Sequence, residues 1–216
     1  MHTLVRLAAA AAPLVVVAGN ACAQSSAGFE VSAGAGISIS DGTPANDIED
    51  TALKLRWRLG EQWSLQLGLQ RLAFDAERPA ALLGLRQDPT INAIDAKATA
   101  TVVSLGVRRD HLWAGSKWNW FWSLDLGTAS PKVPTVSGPL EGGGTFNVST
   151  KAKREWLVSA GAGLRYNFDK TWSVESALHA DHHQASWRLT DSVSGRSAKI
   201  GAYQAVGLSL AVSARF

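Results

Sequence analysis

The densest set of metal-ligating and proton-transferring side chains in the chain is His179, Asp181, His182 and His183. In an extended segment, period 2 places His179, Asp181 and His183 on one face, and three such groups have the donor types to hold a divalent cation. A polar strand rim uses the same residues without any metal, and that plainer role is expected. His182 and Ser186 raise a second chemistry, a hydroxyl nucleophile with an imidazole base and Glu175 lower down. Four residues along a strand separate side chains by roughly 13 Å, too far for direct proton transfer. The chain is therefore not expected to be an enzyme. Its single cysteine, Cys22, provides neither an internal disulfide nor a Cys-based zinc site.

The elements that carry these residues alternate. In residues 53–59 every odd position is large and apolar and every even one is cationic: Leu53, Lys54, Leu55, Arg56, Trp57, Arg58, Leu59. No helix face has that period; a strand between two different surroundings does. The same pattern recurs at residues 29–39, 63–69, 101–108, 118–126, 156–168, 172–179 and 206–216, which makes eight strands. Connections alternate between short ones (60–62, 109–116, 167–171) and long ones (41–50, 75–98, 128–153, 183–199). Short turns at one end and long loops at the other are the pattern of a transmembrane β-barrel. The fold class is thus all-β, an eight-stranded antiparallel up-and-down transmembrane β-barrel over residues 24–216. Pro131, Pro134, Pro139 and Gly142-Gly143-Gly144 make 128–153 read as an exposed, mobile loop.

Residues 1–23 read as a secretory signal peptide, with Arg6 before an apolar run too short to span a bilayer, and an Ala21-Cys22-Ala23 cleavage site. Lipidation of Cys22 is an alternative, weakened by Gly19 where a leucine is usual. The chain of 216 residues holds 21 Lys+Arg against 18 Asp+Glu, and a net charge of +3 supplies no strong field for nucleic acid.

Two features favour a membrane barrel over a soluble sandwich. Glycines crowd the polar face at 34, 36, 68, 106, 161, 163 and 207, as a narrow interior requires. Aromatics cluster beside the short turns at Trp57, Trp63, Trp113, Trp118, Tyr166, Phe168, Trp172 and Phe216, a girdle for one membrane interface. The segment Gly161-Ala162-Gly163-Leu164-Arg165-Tyr166-Asn167-Phe168, the turn Asp169-Lys170-Thr171 and Trp172-Ser173-Val174-Glu175 resemble the small outer-membrane barrels of the OmpA-transmembrane, OmpX and OmpW type. The resemblance implies an outer-membrane location in a Gram-negative bacterium. It also implies that the last strand, ending in Phe216, is read by the outer-membrane insertion machinery, and it leaves a narrow or side-opening channel for small or apolar solutes as an alternative function.

Strand parity puts Glu30, Asp125, Glu155, Glu175 and Asp181 in the lumen with Lys54, Arg56, Arg58, Arg108, Arg165 and Arg215, beside His179. Charges enclosed with little water must pair, so a salt-bridged, largely plugged lumen is expected. The expected role is structural or surface-interactive through the external loops, with outer-membrane lipid and lipopolysaccharide as partners, no cofactor, no nucleic acid, and a monomer. Lipid A hydrolysis is the second alternative. Lys151, Lys153 and Arg154 near the outer rim would meet lipopolysaccharide phosphates. Asp41, Asp47, Glu49 and Asp50 form an acidic loop that would bridge lipopolysaccharide through calcium or magnesium or, more simply, stay solvated. The apolar run at residues 79–85 would dock onto lipid or a partner, or pack against neighbouring loops.

Overall fold

The computed structural model describes residues 28–41, 47–75, 83–86 and 97–216, and the segment read as a signal peptide lies outside them. Eight antiparallel strands close a barrel: β1 (Phe29–Ser40), β2 (Asp47–Arg58), β3 (Trp63–Asp75), β4 (Lys97–Leu112), β5 (Trp118–Lys132), β8 (Glu155–Asn167), β9 (Trp172–Gln184) and β12 (Tyr203–Arg215). The ladder that seals it joins β1 to β12, from Glu30 opposite Arg215 to Ser40 opposite Ala205. The remaining strands, β6 (Val136–Pro139), β7 (Thr145–Ala152), β10 (Trp187–Asp191) and β11 (Ser197–Ile200), form a second sheet in the order β11-β10-β7-β6.

This second sheet corrects the expectation of a mobile loop at 128–153 and of a long loop at 183–199. The physical reason is a further round of alternation. Phe146 and Val148 on β7, and Trp187 and Leu189 on β10, are buried, while Asn147 and Arg188 between them are exposed. The prolines and glycines fit within this order: Pro131 lies near the end of β5 and Gly138 within β6. Pro139 ends β6, and Gly142, Gly143 and Gly144 turn the chain with φ of 85°, 102° and 90°, a region L side chains rarely adopt. Leu140 N–H donates to Gly144 O at 3.0 Å and closes the turn.

Barrel strands are 12 to 16 residues long. A tilted crossing needs about 9–11, and the surplus projects past the bilayer at the long-loop end. Outward residues show where the crossing lies. Leu65, Leu67 and Leu69, then Leu105 and Val103, Leu124 and Leu126, and Leu208 and Leu210 are all exposed. A continuous apolar surface of that kind is stable only with lipid around it.

Interior glycines let strands and side chains approach. A Cβ on Gly106 would overlap the Asp125 carboxylate and the Leu124 carbonyl; one on Gly207 would overlap Ser38 Oγ and His179 Nε2. Both positions lie where an inward polar group occupies the space a side chain would take.

Candidate functional site

The interior has three levels. At the short-turn end, Glu30 and Glu175 sit among three arginines. Arg56 donates through Nη1 to Glu30, and through Nη1 and Nη2 to the two oxygens of Glu175, both at 2.8 Å. Arg108 Nη1 donates to Glu175 Oε2 at 2.8 Å and its Nη2 to Asp110 Oδ1 at 2.7 Å. Arg165 Nη2 donates to Glu30 Oε2 at 2.6 Å, with Nη1 3.4 Å from Glu175 Oε1. Arg108 also lies 3.6 Å over the Phe121 ring and is only 1% exposed. The planar forks let one guanidinium serve two carboxylates, which a lysine ammonium would not do in this geometry. Arg215, 3.6 Å from Glu30 Oε2, closes the group from below. Beside it, Gln66 Nε2 donates to Asp125 at 2.7 Å, and Lys54 Nζ lies 4.0 Å from the same carboxylate.

Above this layer is a polar chamber of about 90 Å³, lined in part by Asp50, Gln70, Ser159, His179 and Asp181, room for a few waters. Ser38 Oγ and His179 Nε2 share a hydrogen bond of 3.0 Å, and Asp181 Oδ2 is 3.6 Å from the same nitrogen.

The third level corrects the expectation of a polar interior throughout. At the long-loop end the inward positions turn apolar. Ile48, Leu72, Phe74, Ala100, Val102, Ala129, Leu157 and Tyr203 from the barrel pack against Val136, Phe146, Val148, Trp187 and Leu189 of the second sheet. Phe74 stacks on Trp187 with centroids 6.0 Å apart. Leu83 joins this core and Leu85 packs on it, while residues 79–82 of the same apolar run lie outside the described residues. The barrel is filled at both ends, by ions below and hydrocarbon above.

The residues assigned to the lumen by parity fall into distinct places. Glu30, Arg56, Arg108, Arg165 and Glu175 meet in one network, with Arg215 at its margin; Lys54 and Asp125 adjoin it; His179 lines the chamber. Arg58 does not join them: it is the last residue of β2 and donates to Glu61 O in the following turn at 3.0 Å. Glu155 is buried at the opposite end, where Trp187 Nε1 donates to it and His183 Nδ1 is 3.4 Å away. Asp50, placed in a loop by sequence, is instead an inward residue of β2, buried in the chamber wall. Its even number, shared with Lys54 and Arg56, was the available signal.

His179 and His183 therefore have different neighbours, and among the described residues no three His, Cys, Asp or Glu side chains converge as a metal-binding group. His182 is exposed on the outer face of β9, while Glu175 is buried on the inner face with its arginines. Of the acidic loop residues, Asp41 accepts a bond of 2.8 Å from Gln204 N–H and Glu49 is exposed.

Aromatic side chains ring the short-turn end. Phe29 stacks on Trp57 at 5.9 Å, Trp63 meets Trp122 edge-on at 5.5 Å, and Trp118, Tyr166 and Phe168 touch in series. Trp172 begins β9 at the same end, and Phe216, just past β12, packs against the Ala33–Ala214 pair. In the turn before β9, Thr171 and Trp172 N–H donate to Asp169 Oδ1 at 2.7 and 2.8 Å, which holds the Asp169 carboxyl below its usual range. One aromatic marks the other rim: Trp156, 70% exposed at the start of β8.

The hairpin between β10 and β11 carries a second anchored carboxylate. Asp191 accepts from Ser194 Oγ at 2.6 Å, Asn147 N at 2.7 Å and Ser194 N at 2.8 Å. These bonds, that of the Ser194 hydroxyl first, lower its pKa from 3.8 to about 2. Since the folded value lies below the unfolded one, the bonds contribute stability that is fully present above pH 3.8 and is lost as the pH falls through about 2. NMR of the Ser194 amide should show its titration midpoint near pH 2, and Asp191→Asn should abolish that titration.

A closed eight-strand wall, an exposed apolar belt and a filled interior define a transmembrane barrel with the fold of the small eight-stranded outer-membrane proteins. Three solved structures show that fold most usefully. Neisserial surface protein A aligns with TM-score 0.56 at 10% identity, covering 87% of this chain and 97% of that one. The outer membrane protein OprG from Pseudomonas aeruginosa aligns with TM-score 0.55 at 8% identity, covering 88% and 96%. The outer membrane protein AlkL, solved in lipid bilayers, aligns with TM-score 0.52 at 12% identity, covering 88% and 90%. No protein-family model matches the chain, and no curated protein sequence matches it.

Proposed function

We propose that this chain is an integral outer-membrane protein of a Gram-negative envelope, exported by residues 1–23, with a lumen that passes no solute. On this reading its role is structural or surface-interactive and non-enzymatic, carried by the long-loop end facing outward. The observation that carries it is the double closure. A buried Arg–Glu network spans the lumen at one level and an apolar core fills it at another. Ions crossing would have to break paired buried charges and then enter hydrocarbon, and each step costs several kcal/mol. The eight ladders around the wall run without interruption from strand to strand, which supports neither a lateral opening nor a side route. A monomer fits a barrel whose every barrel strand already has two neighbours. The terminal strand with Phe216 is proposed as the segment the insertion machinery reads.

Planar-bilayer recordings of the refolded protein test the reading. Expected is a silent bilayer, or only brief, small openings. Stable openings of porin size would overturn the closed lumen and turn the function toward transport. Lipid A from cells with and without the protein should have identical acylation by mass spectrometry; a changed acyl pattern would restore the hydrolase.

A further inference from the structure

At the rim of the long-loop end an open groove of about 640 Å³ runs between the barrel wall and β7. Its walls hold three lysines, Lys97, Lys132 and Lys151, with the hydroxyl residues Thr99 and Thr150 and the apolar Pro131, Val133 and Pro134. Among the described residues that line it, none is acidic. Lys97 lies directly opposite Asp75 in the β3–β4 ladder, while among the described side chains neither Lys132 nor Lys151 has a carboxylate within 4.0 Å.

Two further facts give the groove a direction. Thr99 pairs with Lys132 across β4 and β5, and the same ladder runs down through Val103 and Thr128 to Leu105 and Leu126 in the lipid-facing belt. Lys132 thus stands roughly 13 Å along the strand above Val103, at headgroup depth, with Lys97 two residues further out and Lys151 across the groove on β7. Lys151 also continues sideways: it faces Arg188 across β7–β10, and Arg188 faces Lys199 across β10–β11. All three are exposed. Like charges directly opposite on neighbouring strands destabilise a sheet, and a row of three without partners is compensated when an anion lies against it.

We infer that the groove of Lys97, Lys132 and Lys151 binds the phosphate of an outer-leaflet phosphoglycolipid, with Arg188 and Lys199 extending the anionic contact across the second sheet. Phosphate oxygens accept from the ammonium groups and threonine hydroxyls, while Pro131, Val133 and Pro134 pack against the lipid's sugar. The acyl chains hang along the apolar wall below. Charge, depth and the continuous path to the belt together favour a lipid headgroup over a soluble anion. The inference rests on the proposed outward orientation of the long-loop end.

The test uses the folded full-length mature chain in neutral detergent, with bisphosphorylated lipid A titrated by microscale thermophoresis. Lys97→Gln/Lys132→Gln/Lys151→Gln should weaken binding by about tenfold or more, with affinity falling as salt rises. Retained heat-modifiable gel mobility shows that the variant folds. Lys117→Gln/Lys170→Gln, at the short-turn end, should bind as the unaltered protein does. Equal affinity of the triple variant would overturn the site with the barrel reading intact. Loss only in the short-turn control would overturn the orientation itself. Inorganic pyrophosphate binding as tightly as lipid A would overturn the lipid assignment in favour of a free-anion site.

Discussion

Glu175→Gln is expected to destabilise the barrel by about 3–5 kcal/mol, because it leaves buried arginines without the charge that holds them. Among the described residues, Glu175 is the one carboxylate in contact with Arg56, Arg108 and Arg165 together. The amide keeps the shape and one acceptor but removes the charge, and Glu30 and Asp110 cannot neutralise three guanidinium groups. Urea unfolding in lipid vesicles, followed by tryptophan fluorescence, measures the loss. Adding Arg165→Met to the same background should recover part of it, since it removes the excess cation and leaves Arg56 paired with Glu30 and Arg108 with Asp110. Additive losses in that cycle would mean the two residues are not coupled.

Trp187→Ala is expected to cost a similar amount, about 3–5 kcal/mol, but locally. Trp187 is 2% exposed, packs on Phe74 and Tyr203, and donates its indole N–H to buried Glu155. Its removal opens a cavity in the apolar core and orphans a carboxylate. The barrel below has its own ladders and ions, so its heat-modifiable gel mobility should persist. Trypsin should then cut at Lys151, Lys153, Arg154 or Arg188 in the variant and spare those four sites in the unaltered protein. Trp187→Phe separates the two causes, since it retains most of the burial and loses only the donor.

The wall of the barrel was legible because its code is local. Leu53 to Leu59 states by itself that one face meets hydrocarbon and the other does not. Arg108 and Glu175 are different. Parity places both inside, but their meeting depends on the angle each strand occupies around the barrel, and 67 residues separate them. Local reading also failed at Leu72 and Phe74. They share an inward face with Gln66 and Gln70, and nothing nearby signals that the interior changes from polar to apolar as it passes the membrane. The partners that make this change favourable, Phe146, Val148 and Trp187, lie in segments whose proline and glycine content reads as irregular. Their alternation was present, over runs of four to eight residues, too short to stand out beside the long barrel strands.

The triple-glycine turn at the tip of β6–β7 has a practical corollary. Gly142, Gly143 and Gly144 have open space where a side chain would grow, and the hairpin beneath them is anchored by Phe146 and Val148 rather than by the turn. A foreign peptide spliced at this tip would leave the lipid-facing cylinder untouched and, with the proposed outward orientation of the long-loop end, would be displayed on the cell surface.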